Sequence, residues 1–336
     1  MKKGNIFIAS MLFITLMFTS CGKSNRFEID TTKNRVEVKI HRFDSALIVV
    51  DTTNKYFVHQ LDSQFKEFLP IYTSEILNIE LNDAVAVRTS LVRFLKDSTY
   101  SKVNTNTIET FQDISDIEIK VSDAFTYIHT YFPEVTLPEI YFFVSGFNRS
   151  VLLSDKFLAI GTDMYLGSDY PIYKDLTYKY LIYNMRREAV APDLVSATLF
   201  RMFPMNSSNE RLLDNMIFRG KIMYLQSVFM PNEKPETLMG YTPAQWEWSI
   251  ANEKGIWAAI VDQKNLFSTN MQLIRKYMNE APFTGPISQD SPGRLGTWIG
   301  WRIVDSYMKN NKAVVLKDLM DETNSQKILE NSGYRP

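Results

Sequence analysis

From Asp175 to the C-terminus, this 336-residue chain places apolar residues at helical spacing in one segment after another. Residues three and four apart share one face of a helix, and an apolar face needs a partner to cover it. The spacing predicts helices over Leu176–Val190, Asp193–Phe203, Asn209–Phe229, Pro243–Asp262, Thr269–Asn279, Leu295–Asn310 and Val315–Met320. Thr242-Pro243-Ala244-Gln245 marks one start. There Thr242 caps, Pro243 suits the first helical position and Gln245 reaches back. A half so committed to helix confines any sheet to earlier segments.

Those segments carry strand signals. Arg35 to Phe43 alternates Val36, Val38 and Ile40 with Glu37, Lys39 and His41, the pattern of a half-buried strand. Ile140 to Val144 is an apolar, aromatic run bounded by Pro138 and Ser145-Gly146. Val151–Leu153 and Phe157–Ile160 form an expected hairpin around Ser154-Asp155-Lys156. Helical spacing is also present over Ser45–Val50, Phe57–Leu69, Tyr72–Leu95 and Ile117–Tyr131, with Lys96–Asn106 read as a polar connector. The fold class expected is α+β, mostly helical, a small sheet and hairpin followed by packed helices. The division expected is a leader over 1–20, a lipidated Cys and tether over 21–34, a small helical subdomain over 35–110 and an α+β domain over 111–336.

The leader has its own logic. Lys2 and Lys3 precede an apolar run from Ile6 to Phe18, too short to span a bilayer as a helix and typical of a signal peptide. It ends in Phe18-Thr19-Ser20-Cys21, which resembles a bacterial lipobox. The resemblance implies that Cys21 becomes the lipidated first residue of the mature chain, the alternative being a secreted protein with an idle thiol. Each buried CH₂ of an acyl chain adds ~0.8 kcal/mol of anchoring. Gly22 follows the Cys with no acidic run, which by resemblance to bacterial lipoproteins implies the periplasmic face of the outer membrane.

Lys+Arg is 37 and Asp+Glu is 38, a net charge of −1 that provides no field to hold a polyanion, so nucleic acid is not an expected partner. One Cys excludes an intrachain disulfide and a Cys-rich zinc site. The chain has no nucleophile elbow, Walker loop or dinucleotide fingerprint. Carboxylates such as Asp193, Asp214 and Glu253 are scattered. All five Trp fall between Trp246 and Trp301, which reads as helical core or, alternatively, as an aromatic groove for glycans or peptides. The spacing of Gly296 and Gly300 predicts close packing of two helices inside the fold.

Strand, hairpin, helix and further helix is the element order of a zincin-type metallopeptidase. That chemistry places two His four apart on one helix to bind zinc, with Glu after the first as general base. Arg187-Glu188-Ala189-Val190-Ala191 has the Glu, but Arg187 and Ala191 occupy the ligand positions. A guanidinium has no lone pair for a metal, and a methyl has no donor atom. In the next long helix Arg219-Gly220 stands where related zincins often carry Glu-Gly. His41, His59 and His129 all precede residue 130, so no later His replaces a ligand. A decayed site of this kind would gather Arg187, Glu188 and Arg219 into an ion cluster without metal. Gly220 would lie against the Leu176–Val190 helix.

Several ordered motifs share one register: Phe147-Asn148-Arg149-Ser150, Ile160-Gly161-Thr162-Asp163-Met164-Tyr165-Leu166-Gly167, Met216 to Leu225, Asn252 to Trp257, and Gly296 to Val304. In these the chain resembles the gliding-motility lipoprotein GldB family over nearly all of its mature length. The resemblance implies an envelope lipoprotein linked to gliding or to associated protein secretion, distantly like predicted zinc peptidases with the metal motif decayed. It implies no catalytic residue, metal or cofactor. Envelope proteins and the membrane, through the lipid, are the partners expected. The alternatives are a metallopeptidase-like hydrolase with unorthodox ligands and a glycan-binding lipoprotein.

Overall fold

The computed structural model describes residues 26–80, 82–205 and 210–336. Cys21 and the leader lie outside the described residues. Four strands, β1 (Ile40–Arg42), β2 (Glu139–Phe143), β3 (Val151–Leu153) and β4 (Phe157–Gly161), form a sheet of order β1-β2-β4-β3. β1 and β4 run parallel to β2, while β3 pairs antiparallel with β4 as the expected hairpin.

Helices α1 (Phe43–Val49), α2 (Phe57–Gln64), α3 (Leu69–Glu75), α4 (Ala84–Lys96), α5 (Ser98–Thr110) and α6 (Ser115–Tyr131) precede β2. After the sheet come short turns α7 (Tyr173–Leu176) and α8 (Lys179–Ile182), then α9 (Val190–Met202), α10 (Leu212–Phe229) and α11 (Pro235–Met239). The rest is α12 (Pro243–Ala251), α13 (Glu253–Asp262), α14 (Met271–Met278), α15 (Leu295–Asn310), α16 (Leu316–Asp321) and α17 (Ser325–Ser332). The mostly helical α+β class is therefore the one observed.

The sheet separates two cores, as period-2 alternation requires. Tyr141, Phe143, Phe157 and Ala159 face a cluster with Phe43, Phe57, Phe68 and Tyr72 from the early helices. Ile140, Phe142, Leu158 and Ile160 face the other way, into a core shared with α6, α9, α10 and α15. Trp298 is fully buried there and Trp301 nearly so, with Trp246 packed 5.6 Å from Trp301.

Four of the expected elements need correction. The alternation over Arg35–Phe43 yields a strand only at Ile40–Arg42. Side chains of α6 take the backbone N–H groups instead: Val36 donates to Thr126 Oγ1, Val38 to Ser122 Oγ and Ile40 to Glu118 Oε1, each at 3.0 Å. Lys96–Asn106 is not a connector, because Asp97 accepts from Thr99 and Tyr100 and starts α5. The single helix over Pro243–Asp262 is two, divided at Asn252, though the Thr242–Gln245 capping box forms as expected. The helix over Leu176–Val190 is absent: Thr177 and Arg186 are extended and divide it into short turns.

From Arg26 onward the segment expected as a tether is docked on the body. Phe27 is buried, and Arg26 donates to the carbonyls of Lys312 and Val314.

The closest helix contact sets the bundle. A Cβ on Gly220 of α10 would lie 2.3 Å from the Gly300 carbonyl oxygen of α15, and one on Gly300 would lie 1.8 Å from the Met216 oxygen. Glycine inside a helix costs up to ~1 kcal/mol relative to Ala, and here the missing side chain is what lets two backbones touch. Gly220 thus faces α15, not the Leu176–Val190 segment.

Candidate functional site

The residues of the decayed metal motif do not form one site. Arg187 lies in a 3-10 turn that ends before α9 begins at Val190, so Arg187, Glu188 and Ala191 do not share a helix face. Arg187 grips Asp116 of α6 through two bonds of 2.7 and 2.6 Å and donates to the carbonyls of Thr110 and Asp113. Those bonds raise its pKa and lower that of Asp116. Glu188 is exposed and Ala191 is buried in the core. The expected Arg187–Glu188–Arg219 cluster is therefore corrected: Arg187 fastens the loop before α9 to α6, and Arg219 belongs elsewhere. Among the described residues no group of three or more His, Cys, Asp or Glu is placed to hold a metal ion. The three His are all on the surface.

Arg219 lines a cavity of about 180 Å³ between α9, α10, α11 and α15. Asp193 and Ser196 come from α9, Arg219 and Gln226 from α10, Thr297 from α15, and Glu280 and Arg294 from the segment between α14 and α15. Specific bonds join the elements around the cavity. Gln226 donates to the Pro192 carbonyl at 2.9 Å and Asn184 to the Gly240 carbonyl at 2.9 Å. Gly240 has φ +70°, a conformation that side-chain-bearing residues rarely adopt, and a Cβ there would press on the ends of the Asn184 and Arg294 side chains.

The charges in this cavity are unevenly matched. Arg294 pairs with Glu280 at 2.8 Å and donates to the Met239 carbonyl. Asp193 Oδ2 accepts from the Tyr165 hydroxyl at 2.8 Å, and no ion pair to it exists among the described residues. Burial pushes the Asp193 carboxyl up to about 6, against the Tyr165 bond and the Arg294 charge that favour ionisation. Arg219 has its guanidinium 5.0 Å over the Phe200 ring, and no described residue hydrogen-bonds or pairs with it. Arg219 is exposed as a residue, yet the protein crowded around its guanidinium, and Arg294 beside it, lower its pKa. Thr297 is 5% exposed and its Oγ1 has no protein partner.

Of these residues the sequence singled out only Arg219, as a departure from a metal motif, and Asp193, as one scattered carboxylate. A guanidinium interrupting the apolar run from Met216 to Tyr224 was the available signal. Tyr165 and Thr297 lay inside the motifs that carry the family resemblance, but nothing joined them to Asp193 or Arg219, and Glu280 and Arg294 had no signal, since all of them meet only through the fold.

The motifs that carried the family resemblance hold turns and helix contacts. Asp163 is buried and accepts from the N–H groups of Ser145 and Phe147 at 2.9 and 2.7 Å, holding a turn where Gly146 and Phe147 both have positive φ. Gly161 has no space for a Cβ against the Arg149 carbonyl. Glu253 pairs with Arg302 at 2.8 Å and accepts from the Tyr334 hydroxyl at 2.8 Å. The family model described as gliding motility protein GldB matches the chain over residues 24–336. No curated protein and no solved structure matches it.

Proposed function

The chain belongs to the gliding motility protein GldB family, and from that premise we propose that it is a lipid-anchored, non-catalytic component of envelope machinery for gliding or associated protein secretion. The observation that carries this reading is the family match, which begins just after Cys21 and runs to the last residue. Lipidation at Cys21 places the body on the periplasmic face of the outer membrane. No helix among the described residues is long and apolar enough to cross a membrane. Since docking starts at Arg26, five residues after Cys21, a lipid at Cys21 keeps the body within roughly 18 Å of the bilayer. The protein then acts as a closely held surface for envelope partners.

Arg187 supports the non-catalytic reading, because it is engaged in a structural ion pair at the position where a zincin has a ligand. Kinship to zinc peptidases stays a matter of motif order.

The anchoring test is Cys21→Ser. The variant is expected to leave the membrane fraction and appear in the soluble periplasmic fraction; retention on the outer membrane in high salt would sink the lipid anchor. Crosslinking in intact cells is expected to recover envelope proteins with the wild type. Stoichiometric zinc in protein purified without added metal, together with peptide cleavage that Glu188→Gln abolishes, would overturn the non-catalytic reading.

A further inference from the structure

We propose that the cavity between α9, α10 and α15 binds a small zwitterion, an amino acid or short peptide whose carboxylate meets Arg219 and Thr297 and whose ammonium meets Asp193. The argument begins from charges that the protein leaves unanswered. Four ionisable side chains line the cavity, and two of them, Arg294 and Glu280, pair with each other at 2.8 Å. Arg219 and Asp193 are the other two, and neither has an ion-pair partner among the described residues. They carry opposite charge. A simple anion would answer only Arg219, and a simple cation only Asp193. A molecule with both charges answers both.

A part-buried charge without an ion partner is expensive to maintain and is retained where a ligand completes it, and Asp193 is such a charge; Arg219 is exposed, so what it offers the cavity is an accessible guanidinium. Arg219 offers a planar fork matched to a carboxylate, and its place over Phe200 restricts that fork. Thr297, nine-tenths or more buried and with its Oγ1 lacking a protein partner, adds a hydroxyl donor to the same cavity. Tyr165 occupies one oxygen of Asp193 and orients the carboxylate, leaving the other for an ammonium. The volume, about 180 Å³, suits a ligand of amino-acid or dipeptide size and excludes a folded chain or an oligosaccharide.

The test is calorimetric titration of the full-length protein in detergent with L-alanine and L-alanyl-L-alanine as probes, beside their N-acetyl and C-amide forms. Saturable binding with Kd near or below about 1 mM is expected for one of the two zwitterions. Tighter alanine binding identifies a free amino acid as the source, and tighter dipeptide binding a peptide. Capping either end should weaken that binding by at least about tenfold, as should R219Q and D193N, each checked for native near-ultraviolet circular dichroism. T297V should weaken it less and keep the requirement for both charges.

The affinity should also fall as pH drops through about 6, where Asp193 gains a proton. The charged and titratable groups that act on Asp193 are Tyr165, Arg294 and Glu280, and Arg219 lines the same cavity. Failure of both zwitterions to bind, equal binding of the capped forms, or wild-type binding by folded R219Q and D193N would each overturn the proposal. None of these outcomes bears on the lipid anchor.

Discussion

The two sides of the sheet are stabilised in opposite ways. On the early-helix side, large aromatic side chains fill the space: Phe68 is fully buried, stacked 4.9 Å from Tyr141 and 5.0 to 5.8 Å from Phe43, Phe157 and Phe143. On the other side, the central helices α10 and α15 meet through Gly220 and Gly300, with backbone against backbone. One region is intolerant of lost volume, the other of added volume. The second encloses a polar cavity, and the close helix crossing explains how it does so. Helices fixed by backbone contact near Gly220 and Gly300 need no side chains from Arg219 or Thr297 to hold them together. Residues adjacent to the crossing are thereby released for other chemistry.

The sharpest way to break this contrast is Phe68→Ala. Truncating a buried Phe should cost about 3–5 kcal/mol, read as a lowered midpoint in urea unfolding. A loss under about 1 kcal/mol would mean that the aromatic cluster collapses freely and is no jigsaw. The opposite change tests the other side. Gly300→Ala adds one methyl into the Met216 carbonyl and should cost about 3 kcal/mol, despite the better helix propensity of Ala. Gly255→Ala is the control: a Cβ there meets nothing within 4 Å, so the same substitution in α13 should stabilise by up to ~1 kcal/mol. Equal effects at the two glycines would dissolve the distinction.

Asp193 sharpens the comparison further, because a cavity kept for a ligand should hold a group that works against the fold. Its carboxyl is raised from 3.8 to about 6 by burial. A raised acid stabilises the folded state below its unfolded pKa, and that contribution is lost as pH rises through the folded value. Asp193→Asn removes the charge and leaves an oxygen to accept from Tyr165. The variant should be more stable than wild type by about 1–3 kcal/mol at pH 7.5, with the gap closing between about pH 6 and pH 4. A destabilised variant at pH 7.5 would show instead that the charge serves the fold.

The sheet was largely legible in the sequence, and the cavity was not. β2 and the hairpin announce themselves by continuous apolar and aromatic residues between turn signals, and Gly300 by its small-residue spacing. Arg35–Phe43 misleads because an extended segment lying on a helix alternates like a strand. Ser122, Thr126 and Glu118 supply from the α6 surface the acceptors a neighbouring strand would have supplied. Leu176–Val190 misleads because helical spacing survives in a segment whose backbone is extended at Thr177 and Arg186. The cavity gathers Tyr165, Asp193, Arg219, Glu280, Arg294 and Thr297 from separate elements, and no spacing rule joins positions so far apart.

The smallest expected effect lies at Glu188, where the decayed-motif reading and the structure part company. If Glu188 were the carboxylate of a buried ion cluster, its loss would leave guanidinium charge unpaired at a cost of several kcal/mol. It is exposed, and the guanidinium beside it, Arg187, is already satisfied by Asp116 and two carbonyls. Glu188→Gln should therefore change stability by no more than about 0.5 kcal/mol. Asp116→Asn, which weakens a partly exposed bidentate pair joining the loop before α9 to α6, should cost about 1 kcal/mol. The order of the two effects decides the matter: a larger loss at Glu188 than at Asp116 in matched urea melts would restore the ion cluster that the motif implied. The order expected here assigns Arg187 to the join between α6 and α9 and leaves Arg219 to the cavity.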